Sequence, residues 1–129
     1  MNIKINRITL GIANIKRTIQ FYDSWLGIEP YELTGNQLLY KIDNIILAFV
    51  PLGKLADDAD VTDESDGFDG VILSRYANSI KDVDQMLRNA ENVGGYLTKG
   101  ATKNSNDTYS GYFSDLDGHM WEVVYHIKS

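Results

Sequence analysis

The sequence predicts an α+β fold built from two βαβββ modules that form a U-shaped, partly closed mixed sheet with helices on its convex face. Three observations predict it. The order of strand-like and helix-like stretches in the first half recurs in the second. RITLGIAN from Arg7 lies over VILSRYAN from Val71, sharing Ile8/Ile72, Ala13/Ala77 and Asn14/Asn78. An acidic stretch separates the halves, giving module one at about 1–55, a linker at about 56–69 and module two at about 70–129.

Each element has a local cause. Residues Ile3 to Ala13 (IKINRITLGIA) are rich in β-branched side chains and predict a strand. Asn14 can cap a helix whose apolar face is Ile15, Ile19, Tyr22 and Leu26, with Trp25 on a neighbouring face. Gly27 can end it in the left-handed conformation. Strands follow at Pro30–Leu33, Gln37–Ile42 and Asn44–Pro51, parted by turns at Thr34-Gly35-Asn36 and Asp43-Asn44. In the second half Gly70–Ala77 predicts a strand, and Ser79 with Asp82 has capping-box spacing. Ile80, Val83, Leu87 and Ala90 mark one helical face, which Gly94-Gly95 terminates. Strands are expected near Tyr96–Gly100, Tyr109–Ser114 and His119–His126, the last after the turn Asp115-Leu116-Asp117-Gly118. A polar loop is expected at Thr98–Thr108.

One helix covers only one face of such a sheet. Two units can therefore close around a concave groove, the natural place for a small ligand.

Composition narrows the function. Charged residues make up 23% and the net charge is −6, with no basic stripe of the kind nucleic acid requires. No apolar run reaches the roughly 20 residues of a membrane span, and MNIKINRITL does not read as a signal peptide. The absence of cysteine excludes disulfides and thiolate chemistry and fits a reducing compartment, so a cytoplasmic location is expected. Seven acids and no base lie between Asp57 and Asp69. They serve either as a solvated linker or as a rim attracting cationic ligands.

Three stretches carry a family resemblance. RITLGIANIKRTIQFYDSWLGIEP resembles the opening strand-helix-turn of the glyoxalase/bleomycin-resistance/dioxygenase (vicinal oxygen chelate) superfamily. GVILSRYANSIKDVDQMLRNAENVGGYL resembles its second strand and helix. YSGYFSDLDGHMWEVVYH resembles its closing turn and strand, with Leu116 where proline is usual. The resemblance implies paired modules, a homodimer, and a cleft that holds a small organic ligand. In metal-dependent members it implies four ligand positions, which fall here on Arg7, Ala48, Val71 and Glu122. Only Glu122 has a metal-binding atom, so neither metal nor cofactor is expected. His119 and His126 lie outside these positions.

Strand alternation places Arg7 and Thr9 on one face, Val71, Leu73 and Arg75 on another, and Glu122 with Met120 and Val124 on a third. The resemblance makes these the groove faces. Arg7 and Glu122 either pair across the vacated metal position or find other partners. Arg75 either clamps an anion or is a surface arginine. Tyr40, Phe49, Tyr109 and Phe113 line the groove or belong to the core, depending on a register the sequence does not display. No nucleophile elbow or phosphate loop is present, and Asp115 and Asp117 suit a turn. The expected function is metal-independent binding of a small molecule. The alternatives are a lyase, isomerase or dioxygenase-like enzyme with a degenerate metal site, or a structural dimer.

Overall fold

The computed structural model describes residues 3–63 and 67–127. Part of the acidic segment, residues 64–66, and the chain ends lie outside them. The chain divides into two compact units, residues 1–65 and 66–129.

In the N-terminal unit β1 (Arg7–Ile12) leads into α1 (Ile15–Leu26), followed by β2 (Glu32–Leu33), β3 (Leu38–Ile42) and β4 (Ile45–Pro51). The sheet order is β1-β4-β3-β2, with β1 parallel to β4. Asn14 caps α1 by accepting from the Arg17 amide at 3.1 Å. Gly27 closes it at φ 70°, a conformation that would strain a side chain. The β1 strand begins at Arg7 rather than Ile3. Ile3 and Ile5 are exposed, and pairing before Arg7 reduces to one bond from the Ile46 amide to the Asn6 carbonyl.

The buried stripe of α1 is Thr18, Phe21, Tyr22 and Trp25. It is rotated from the expected face, so Trp25 is core while Ile15, Ile19 and Leu26 are half-buried. Aromatic bulk decided this. The Tyr22 ring lies 4.5 Å from Phe49 and 6.4 Å from Trp25, and these rings remove more apolar area than the isoleucines would.

A helix absent from the sequence reading, α2 (Leu52–Ala59), replaces the expected start of the linker. Its signal was Leu52, Leu55 and Ala56 at helical spacing, masked by the acids that follow. It starts over Gly11, where an added Cβ would lie 3.2 Å from the Leu52 Cα. Because Gly11 shares parity with Arg7 and Thr9, α2 sits on the sheet face opposite α1.

The C-terminal unit repeats the plan: β5 (Ile72–Tyr76), α3 (Ile80–Asn92), β6 (Tyr96–Lys103), β7 (Thr108–Ser114) and β8 (Met120–His126). Its order, β5-β8-β7-β6, matches the first sheet position for position, again with one parallel pair. Ser79 caps α3, accepting from the Asp82 amide at 3.0 Å, while the Asp82 carboxylate accepts from the Asn78 amide. Val83, Leu87 and Ala90 form the buried stripe, as expected, while Ile80, expected on the same face, is exposed in the first turn. Asp115 anchors the final turn by accepting from the Asp117 and His119 amides.

The expected polar loop at Thr98–Thr108 is largely strand. β6 runs to Lys103, with register shifts after Leu97 and after Lys99. An edge strand does not need an apolar pattern, and bulges with exposed lysines protect such an edge.

Candidate functional site

Register decides which side chains share a face. In the C-terminal sheet Ser74 pairs with Glu122 on β8, and Glu122 pairs with Tyr112 on β7. Their side chains meet: Ser74 Oγ donates to Glu122 Oε1 at 2.8 Å, and the Tyr112 hydroxyl donates to Oε2 at 3.1 Å. Both carboxylate oxygens therefore hold a hydroxyl and keep lone pairs for a further donor. Burial raises the Tyr112 pKa, and the hydrogen bond and charge of Glu122 raise it further. Tyr112 is therefore a proton donor at neutral pH. Tyr76 and His126, on the same face, bring their rings within 4.7 Å.

The opposite face of this sheet belongs to α3. The Tyr109 hydroxyl donates to Asp84 on α3 at 2.7 Å, and a Cβ on Gly111 would meet the Leu87 side chain at 2.6 Å. Leu73, Arg75, Tyr109 and Phe113 have this parity and lie on the α3 face, not with Glu122. Burial lowers the Arg75 pKa against the opposing pull of Asp82 on α3. Val71 precedes β5 and is exposed. The offset carried over from module one was one residue too short, and with a side-chain period of two that reverses every face. The same shift hides Ser74, whereas Tyr112 lies on β7, whose register the sequence does not display.

In the N-terminal sheet Arg7 and Thr9 share the face away from α1, with Ala48 opposite Thr9 in register. Tyr40 and Phe49 take the other face and are core beneath α1, their rings 6.5 and 4.5 Å from Tyr22. The Tyr40 hydroxyl donates to Asp23 at 2.5 Å, and burial, then that bond and charge, raise its pKa. A raised tyrosine pKa favours folding below the unfolded value of about 10 and is lost as pH climbs past it. Stability should therefore fall above about pH 10, by up to about 1.4 kcal/mol per pH unit for this group. Tyr40→Phe, followed by urea unfolding at pH 9 and 11, should flatten that slope. An unchanged slope would contradict the assignment.

Below α2 lies a cavity of about 440 Å³, lined in part by Arg7, Thr9, Val50 and Leu55. Arg7 and Glu122 belong to different units, and Glu122 takes its two hydroxyl partners from its own.

No family profile matches the chain. Solved structures do. A glyoxalase-related enzyme from Fulvimarina pelagi superposes with TM-score 0.89 at 24% identity, over 95% of this chain and 87% of that one. The chain has the glyoxalase/bleomycin-resistance/dioxygenase fold. A member of that family from Burkholderia phytofirmans superposes with TM-score 0.83 at 14% identity, covering 95% of this chain and 98% of the other. A hypothetical protein from S. aureus gives 0.84 at 19% identity, over 97% and 94%.

Metal-dependent members of this fold need several nitrogen or oxygen donors around one ion. Here arginine, alanine and an aliphatic residue stand at three of the four expected positions, and Glu122 alone of the four has a donor atom. Among the described residues no group of three or more His, Asp or Glu is placed to hold an ion. The donor set does not fit such a metal. None of the described helices is long and apolar enough to cross a membrane.

Proposed function

We propose that this chain is a metal-independent small-molecule-binding protein of the glyoxalase/bleomycin-resistance type, acting as a cytoplasmic homodimer. Its ligand would rest on the sheet face that carries Glu122. The carrying observation is the Glu122 carboxylate held between Ser74 and Tyr112. It is a fixed acceptor, suited to a cationic or hydrogen-bond-donating group on an organic ligand.

A thermal-shift series with cationic glycopeptide antibiotics tests the drug-sequestering form of this reading. At a concentration about a hundredfold above Kd, linkage predicts about 2.7 kcal/mol of added stability, a shift of several degrees. Glu122→Gln should abolish most of that shift while leaving the unliganded melting temperature nearly unchanged, because its amide oxygen can still accept a hydroxyl. Absence of stabilisation by any of the antibiotics would remove the drug-binding version. Sedimentation at micromolar concentration tests the dimer.

One observation favours a second reading, an enzyme of the lyase or isomerase kind. A carboxylate beside a protonated tyrosine is a competent acid–base pair. Metal analysis of protein purified without chelators separates the metal-dependent version. Less than about a tenth of an equivalent of Ni, Zn, Fe or Mn, with no activity gained on adding them, would count against it.

A further inference from the structure

We propose that the C-terminal unit carries a site for a free α-amino acid with a branched apolar side chain, in the cleft between α3 and the edge strand β6. The cleft measures about 230 Å³. That lies below the roughly 300–1,000 Å³ of sites for drug-sized ligands, so it suits a molecule of amino-acid size. The strand leaves the room. Its pairing with β7 shifts after Leu97 and again after Lys99. Ala101, inside the irregular stretch, reaches the cleft with a single methyl group.

Charge selects the ligand. Asp84, Arg88 and Glu91 line the cleft from α3, at spacings of four and three residues. Acid and base at these spacings are within reach of each other on a helix. Among the described residues, however, no ion pair or side-chain hydrogen bond engages Arg88 or Glu91. Asp84 turns to the sheet instead, where one of its oxygens accepts from the Tyr109 hydroxyl at 2.7 Å. Its other oxygen is left for a further donor. A ligand with only a carboxylate would meet two acids of like charge, and one with only an amine would meet Arg88. An α-amino acid carries both charges on either side of one carbon. Its ammonium suits Asp84 and Glu91, and its carboxylate suits the planar fork of the guanidinium. Leu87 and Leu97 supply an apolar floor, which a branched aliphatic side chain covers and glycine does not. Tyr109 stands on the sheet face opposite Glu122, so this site and the function proposed above fail separately.

The test is an NMR titration of the full chain with L-leucine, isocaproate, isoamylamine and glycine. Isocaproate is leucine without its ammonium, isoamylamine is leucine without its carboxylate, and glycine lacks the side chain. L-leucine should shift the Leu87, Leu97 and Ala101 amides saturably, with a dissociation constant on the order of 1 mM. Each of the other three should bind at least about fivefold more weakly. Arg88→Gln should weaken leucine about tenfold without weakening isoamylamine, and Arg88→Lys should weaken leucine by less. Lys16→Gln, which removes the same charge from the other unit, should change neither. Three results would each overturn the proposal: no saturable shift with leucine, any of the three analogues binding as tightly as leucine, or unchanged leucine affinity in folded Arg88→Gln.

Discussion

Phe49→Ala is expected to unfold the N-terminal unit at room temperature. Phe49 is fully buried at the middle of β4, the strand that joins β1 to β3. Its register partners are Leu10 and Leu38, and its ring packs 4.5 Å from Tyr22 and 6.1 Å from Tyr40. Removing such a ring typically costs about 3–5 kcal/mol, through lost burial and the cavity left behind. A core of this size supplies rarely more than about 3–5 kcal/mol of net stability, so the loss equals the whole margin. Phe49→Leu, which keeps most of the volume, should cost clearly less. Urea unfolding followed by near-ultraviolet circular dichroism and by hydrogen exchange in residues 7–51 measures both. A Phe49→Ala protein with wild-type midpoint and protection would show that this aromatic cluster does not hold the unit together.

The second large effect is expected at Gly111 on β7. A Cβ there would stand 2.6 Å from the Leu87 Cδ1, 3.0 Å from the Ala101 amide nitrogen and 3.1 Å from the Lys99 carbonyl oxygen. The leucine tip can rotate, but the other two atoms are backbone of β6, which is hydrogen-bonded to β7. Gly111→Val must therefore push the edge strand off the sheet or α3 off its face. Overpacking of this kind costs about 1–3 kcal/mol, and contact with backbone puts this position at the upper end or beyond. Gly100→Ala is the matched control, since a Cβ there meets nothing within 4 Å. Its φ is also not in the left-handed region, so the change should be neutral or stabilise by up to about 1 kcal/mol through the unfolded chain. Equal midpoints for the two variants in chemical denaturation would refute the steric argument.

Most of the architecture is legible in the sequence alone. The caps Asn14 and Ser79, the Gly27 stop and the stripe Val83-Leu87-Ala90 are local signals, written in consecutive residues, and the structure has each of them. The duplicated strand order follows from the repeated pattern. Trp25 and the length of β6 depend on what packs against a segment, and a linear pattern does not record its neighbour; α2 carries a helical signal in Leu52, Leu55 and Ala56 that the acids after it mask. The candidate site was less legible still. Glu122 is a candidate in the sequence while its hydrogen-bond partners Ser74 and Tyr112 are not, and Leu73, Arg75, Tyr109 and Phe113 lie on the α3 face and Tyr40 and Phe49 beneath α1.

By itself, then, the order of residues determined two βαβββ units, the limits of their two helices and the absence of thiol chemistry. Those are properties of composition and of spacing along one chain. Only the tertiary structure decided which side chains stand together, because a strand presents its residues alternately to two faces. Pairing shifted by a single position exchanges the faces, and the energy that selects one pairing comes from the helix packed on it.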